Sequence, residues 1–240
     1  MNLSHAIHRG ILSLLVGLAI LTTSIAAIAA RPFIDASTLD LVRYLPPPPA
    51  DDSVQTRAEL GELLAIQAMR TPQMVANANA DVVQDVWRFT SALPAGLQSR
   101  FNAEALPLLG PLFERLRLTK SAVVDPAKKT WMRMRPYVLS SEVTPAVKLE
   151  PTTSWPSGHA TVASLMAIVL AGMLPEYRTA IFQRATDYAE NRVVGGVHYR
   201  SDIAAGRTAG ALIALDLQRN PEFVAESRLA EDELRKVLGL

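Results

Sequence analysis

Three short blocks of this chain carry side chains that could act together on one ligand: Lys128 with Arg135-Pro136, then Pro156-Ser157-Gly158-His159, then Arg192 with His198 and Asp202. They combine cations, imidazoles and a carboxylate with a Ser-Gly turn that opens an apolar run. Such a set can hold a phosphate-like anion and break a bond to it.

In the middle block, Ser157 is a natural N-cap, and Gly158 lets backbone approach a ligand closely. The helix that follows turns its first amides and positive dipole end toward an anion. His159 sits at that end and can donate a proton to an oxygen on the anion's far side. Alone, this tetrapeptide reads equally well as a capped helix with a surface histidine. In the third block, Asn191 ends one helix and Asp202 begins the next, with Val193 to Ser201 as a loop bending at Gly195-Gly196. Asp202 follows His198 by one helical turn, so its carboxylate can bond one ring nitrogen. The other nitrogen is left as a directed nucleophile or base. In the first block, Lys128 and Arg135 flank Trp131, Met132 and Met134, so the segment can bury apolar side chains while pointing charge at a pocket. A guanidinium fork suits two phosphate oxygens, and a lysine adds a compact charge. Lys129 and Arg133 read as solvated charges.

The elements that must position these blocks are helices. From Asp51 onward the pattern predicts an all-α chain, a compact single-domain helical bundle, with no convincing period-two stretch. Ser53 can cap a helix through Met69, with Thr56 and Glu59 as a second capping-box start. Thr71-Pro72 opens another helix, running through Val75, Val82, Val86 and Phe89. A helix is expected near Leu97 to Leu106, a kink at Pro107 to Pro111, and a short helix from Leu112 to Leu118. Lys120 to Thr153 reads as largely loop. Apolar or amphipathic helices follow over His159 to Leu174, Glu176 to Asn191, Ile203 to Leu217 and Ala225 to Leu238.

The N-terminus reads as a secretory signal over residues 1–29. Arg9 supplies a positive region, Ile11 to Leu21 an apolar one, and Ala27-Ile28-Ala29 a small-residue cleavage pattern. An uncleaved membrane anchor is the alternative. Cleavage predicts a periplasmic or secreted protein with no stable membrane association, since no later apolar run approaches a span. Residues 30–50 read as an extended arm ending in Pro46 to Pro49, either a structural brace or a strip for a proline-reading partner, and 51–240 as the helical domain. Without the leader, the 24 Lys+Arg fall to 23, equal to the 23 Asp+Glu. A neutral chain argues against a nucleic acid polymer as partner. There is no cysteine, so neither disulfides nor thiolate metal sites are available. Of the histidines, His5 and His8 leave with the leader, and the remaining two are needed elsewhere.

The order K-x6-R-P, P-S-G-H, R-x5-H-x3-D resembles the signature of the type 2 phosphatidic acid phosphatase superfamily. Leu45 to Pro49, an LPPPP arm, together with the apparent leader, is most similar to the bacterial class A non-specific acid phosphatases. The resemblance implies the helical fold of acid phosphatases and vanadium-dependent haloperoxidases, and hydrolysis of small phosphomonoesters without metal or other cofactor. It implies that His198 attacks phosphorus to give a phosphohistidine, with Asp202 orienting it. His159 would protonate the leaving alkoxide and later help activate water. Lys128, Arg135, Arg192, the Ser157 hydroxyl and the Gly158 amide would bind the phosphoryl oxygens. Inhibition by phosphate and vanadate follows, as does activity peaking on the acid side of neutrality, because His159 must be protonated while His198 is neutral. A homo-oligomer is compatible with the same analogy. One position departs: Asn191 stands where the signature has serine. A vanadium haloperoxidase, a membrane-lipid phosphatase and a non-catalytic phosphate binder are the competing readings; the His198-Asp202 pair speaks against the last.

Overall fold

A computed structural model describes residues 31–240; the expected leader, 1–29, lies outside the described residues. Capping side chains set many of the helix starts. Ser53 accepts from the Thr56 amide and opens α1 (Val54–Met69). Thr71 does the same for α2 (Pro72–Ala80), with proline in the first turn, where its missing N–H is harmless. Ser157 opens α6 (Gly158–Met173), and Asn220 opens α9 (Pro221–Leu238). Between them lie α3 (Ala95–Gln98), α4 (Leu109–Trp131), α5 (Pro136–Leu139), α7 (Arg178–Val194) and α8 (Arg200–Leu217). No strand occurs among the described residues, so the chain is all-α.

Several boundaries differ from expectation, α8 and α9 among them, which start at Arg200 and Pro221 rather than at Ile203 and Ala225. The helix expected through Phe89 stops at Ala80, and a separate 3-10 helix, Val86–Ala92, starts where Asp85 accepts from the Arg88 amide. The helix expected over 97–106 shrinks to α3, because the Asn102 side chain captures the amides of Glu104 and Ala105 in a local turn. The largest correction is α4. It starts at Leu109, within the expected kink, and absorbs the short helix and the first part of the expected loop. Pro111 falls in its first turn, and Pro126 is accommodated within it. What holds α4 together is one buried stripe of Leu109, Leu112, Phe113, Leu116, Val123, Val124 and Ala127, at helical spacing. Lys120 and Lys128 lie on that same stripe.

α6 is apolar nearly all round and sits at the centre, packed by α4, α7 and α8. Its contact with α8 is unusually close. A Cβ added at Gly206 would lie 2.6 Å from the Ser157 carbonyl oxygen, and one at Gly210 2.6 Å from that of Thr161. Only glycine permits this approach, which brings the start of α8 against the start of α6. The Ser157 amide donates to the Asp202 carbonyl at 3.1 Å across the junction. The Pro-rich arm joins the same core: Phe33, Ile34, Leu39, Leu41 and Leu45 are buried in it, and a 3-10 turn forms at Leu41–Arg43. Pro46 and Pro47 are exposed. Pro32–Leu240 forms one compact unit. Among the described residues, no helix is long and apolar enough to cross a membrane.

Candidate active site

The turn between α7 and α8 carries His198, and Asp202 lies in the first turn of α8. His198 Nδ1 is 3.1 Å from Asp202 Oδ2. That oxygen also accepts from the Tyr199 amide at 2.9 Å and from Ser154 Oγ at 2.5 Å. A carboxylate held this way accepts a hydrogen bond from Nδ1–H and leaves the lone pair on Nε2. Nε2 instead meets Arg135, whose Nη1 donates to it at 3.0 Å.

Arg133, expected to be solvated, is buried and central. Its Nη1 donates to Asp202 Oδ1 at 2.6 Å, and its Nη2 to Glu59 Oε2 at 3.0 Å. Glu59, rather than forming a capping box, accepts from the Ser201 amide and hydroxyl at 2.9 and 2.8 Å. The chain Glu59–Arg133–Asp202–His198 therefore ties α1 to the histidine. Lys129 is exposed, as expected.

The cations meet on one side of His198. Lys128, on the last turn of α4 rather than in a loop, donates to the Thr153 carbonyl at 2.5 Å. Arg135 donates to the carbonyls of Thr152 and Val197, both at 2.8 Å. Arg192, in the last turn of α7, which ends at Val194 and not at Asn191, is 0% exposed. Its Nε and Nη1 have no hydrogen-bond partner. Ser157 Oγ accepts from the Ala160 amide at 3.3 Å, which leaves its O–H to donate. Gly158, at the first helical position, would carry a Cβ 3.7 Å from Lys120 Nζ, so Lys120 belongs to the same cluster.

Crowding and burial work against every one of these charges. Burial, then the neighbouring Arg135, pushes Lys128 down to about 7. Burial likewise lowers Arg135, Arg192 and Lys120. His198 is held well below the usual histidine range by burial and by Arg135, Lys128, Arg192 and Arg133. His159 is held down by burial, then by Arg192, with Lys120 and His198 adding to it. An anion placed among them would relieve this repulsion.

His159 is fixed from the segment after α2. Its Nε2 lies 3.1 Å from the Val82 carbonyl oxygen, so Nε2 carries the hydrogen and donates it. The Gln84 amide lies 3.2 Å from the same nitrogen. Nδ1 is thus the ring nitrogen that carries no hydrogen in the neutral imidazole. It faces Glu150, whose Oε1 is 3.5 Å away, while Glu150 Oε2 is 3.5 Å from Arg135 Nη2. Glu150 is 33% exposed and lies between His159 and Arg135. Asn191 is turned away from the cradle and donates to Asp81.

A sequence profile of the PAP2 superfamily matches residues 117–220, which contain all three blocks. A protein of Salmonella typhi named non-specific acid phosphatase is 30% identical over 199 residues, covering 80% of this chain and 78% of its own. The chain belongs to the PAP2 superfamily. An acid phosphatase of Zymomonas mobilis is 28% identical over 203 residues, covering 82% of this chain and 76% of its own. Among solved structures, a bacterial vanadium-dependent iodoperoxidase superposes with a TM-score of 0.51 at 17% identity, over 73% of this chain and 52% of that one. This last likeness concerns the fold.

In this PAP2 chain the expected site residues come together: Lys128, Arg135, Ser157, Gly158, His159, Arg192, His198 and Asp202 are all buried or nearly so around the starts of α6 and α8. The motif reading overlooked Lys120, Arg133, Glu59, Ser154 and Glu150. The signal for Lys120 is its helical spacing with Leu116, Val123 and Val124 on the buried stripe of α4. Arg133 and Glu59 carry no local signal for this role, because the partners that tie them to the site lie 68 to 142 residues away in sequence.

Proposed function

We propose that this PAP2 chain is an exported acid phosphatase that hydrolyses small phosphomonoesters through a phosphohistidine, with no metal. The observation that carries the reading is Arg192: a guanidinium with no exposure and with two unpartnered nitrogens beside the two histidines. Buried donors are almost always satisfied, so a ligand with acceptor oxygens is the natural partner. The additional cations Lys120, Lys128 and Arg135 make that ligand an anion.

In the proposed reaction the phosphoryl group enters between these cations, and Arg135 Nη1 exchanges His198 Nε2 for a phosphoryl oxygen. Nε2 attacks phosphorus while the bond to the leaving oxygen breaks. That oxygen takes the proton from His159 Nδ1. Water then attacks phosphorus, His159 Nδ1 takes its proton, and the P–N bond breaks to release inorganic phosphate. Asp202 stabilises the positive charge that His198 acquires. His159 must carry a proton that the ligand-free cradle disfavours. The negative charge of the substrate offsets Arg192 and Lys120 and raises the imidazole again, coupling protonation to substrate binding. The four cations supply the charge neutralisation that a metal ion supplies elsewhere, so EDTA should leave the rate unchanged. Vanadate and phosphate should inhibit by filling the cradle.

A chromogenic phosphomonoester assay across pH tests the activity, and rapid acid-free quenching with labelled substrate tests the intermediate. His198→Ala should abolish turnover and the labelled protein while keeping phosphate binding. Label retained in that variant would refute the nucleophile. Export is proposed from residues 1–29; N-terminal sequencing of the purified periplasmic protein should begin near Ala30, and an intact Met1 would refute cleavage. The same preparation, given peroxide, iodide and vanadate, should not oxidise halide.

A further inference from the structure

The departure at Asn191 leads away from the anion cradle to a second buried carboxylate. Asn191 Nδ2 donates to Asp81 Oδ2 at 2.7 Å. Asp81 Oδ1 accepts from Arg88 Nε at 3.0 Å and from Arg184 Nη2. Its side chain is 1% exposed, and its amide caps α2 by donating to the Asn77 carbonyl at 3.0 Å. Arg184 also ties the segment farther on, donating from Nε to the Arg88 carbonyl at 2.8 Å. The residues immediately after Asp81 are those that hold His159. The Val82 carbonyl accepts from its Nε2–H, the Gln84 amide lies against the ring, and Tyr188 donates its hydroxyl to the Val83 carbonyl between them.

We propose that Asp81 is a positioning residue for protonation of the leaving group, and that Asn191 and Arg184 of α7 hold it in place for this task. The inference rests on the phosphatase reading and extends it. Asp81 fixes where the Val82 carbonyl stands. That carbonyl keeps the hydrogen of the neutral ring on Nε2 and so keeps Nδ1 as the atom that delivers the proton. His198 gets its tautomer from a carboxylate, and His159 gets the complementary one from a carbonyl anchored by a carboxylate. Loosening Asp81 therefore impairs the acid and leaves the nucleophile in place; its weak attraction on Arg192 acts on every phosphoryl group alike, whatever the leaving group.

The expected signature is a loss that depends on the leaving group. In kcat/KM, which spans the steps through P–O cleavage, p-nitrophenyl phosphate needs little help because its phenolate leaves readily. Glycerol 2-phosphate needs a proton on its alkoxide. Asp81→Asn should lower kcat/KM for glycerol 2-phosphate by about tenfold or more, since a general acid contributes roughly a hundredfold or more. For p-nitrophenyl phosphate the loss should stay below about threefold. Asn191→Ala keeps both arginine pairs, and should shift the ratio of the two substrates in the same direction by about threefold. Should Asp81→Asn fail to fold, Asn191→Ala decides alone. Equal losses on both esters, or no loss on either, overturn the inference. A wild-type protein that hydrolyses neither ester overturns the phosphatase reading, and this inference with it.

Discussion

Arg192→Met separates the needs of the fold from the needs of the reaction. The guanidinium is 0% exposed, leaves Nε and Nη1 unpartnered, and is repelled by Arg135. Each buried donor without a partner costs about 1–3 kcal/mol. A methionine of similar length keeps most of the packing against α6 and removes both orphan donors and one repelling charge. The attraction of Glu150 and Asp81, which partly offsets the burial of Arg192, is lost with it. The balance favours the variant by roughly 2 kcal/mol in the absence of anion, or about 4–8 °C in Tm for a chain of this size. Phosphate reverses the order. At a hundred times its Kd it should stabilise the wild type by about 2.7 kcal/mol, while the variant, deprived of charge-assisted bonds to phosphoryl oxygens, should gain almost nothing. Thermal unfolding of both proteins, with and without phosphate, measures the four quantities needed. A ligand-free variant that melts below the wild type, or a variant that keeps the full phosphate-induced shift, would refute the assignment of Arg192 to the anion.

Other perturbations test other parts of the site. Glu150→Gln removes the carboxylate lying 3.5 Å from both His159 and Arg135; since it is one-third exposed, screening limits the effect, and the Ki for phosphate should fall by roughly threefold to tenfold. An unchanged Ki would mean that Glu150 does not compete with the substrate anion. Lys128, pushed from its ordinary 10.5 down to about 7, is charged below that pH and neutral above it. Binding of sulfate, whose own charge is constant, should therefore weaken as pH rises through about 7, and Lys128→Met should flatten that limb; affinity that is level from acid to alkaline pH sinks the argument. Arg133→Met strands the buried carboxylates of Asp202 and Glu59, and should destabilise by about 3–5 kcal/mol, with Glu59→Gln in the same chain recovering part of the loss. Melting within a degree or two of the wild type would show that Arg133 is dispensable.

The parts of this site that were legible in the sequence are those whose partners lie within a turn or two of helix. His198 and Asp202 are four residues apart, and a single helical turn joins them. Ser157, Gly158 and His159 form one helix start, where capping, close approach and dipole all act locally. The illegible parts are tertiary. Composition alone made Lys120 to Trp131 look like a loop, because lysines and a proline are poor signals of a buried helix. The apolar stripe of α4 carried the opposite message, and burial decided the matter: Val123, Val124 and Ala127 pack against the core and carry Lys128 in with them. Arg133 was misread for the same reason. A charged residue between two methionines is solvated by default, and only the arrival of Glu59 from α1 and Asp202 from α8 makes its burial tolerable.

The same reasoning explains why a cradle of like charges survives in a folded chain. Arg133 has its carboxylates within the protein: Nη1 pairs with Asp202 and Nη2 with Glu59, which leaves Nε as the nitrogen without a partner. Arg192 does not, and its imbalance persists because the rest of the core holds it: α6 buried almost on all sides, α8 locked to it through Gly206 and Gly210, and the arm's Phe33 and Ile34 packed into the same interior. A site that must bind an anion transiently cannot satisfy its cations permanently, since an internal partner as good as Asp202 is for Arg133 would exclude the substrate. Glu150 is the compromise, close enough at 3.5 Å to temper Arg135 and His159, and exposed enough to give way. Stability withheld from Arg192 is thus available as binding energy when phosphate enters the cradle, so the two donors left unpartnered on its guanidinium report what the protein binds.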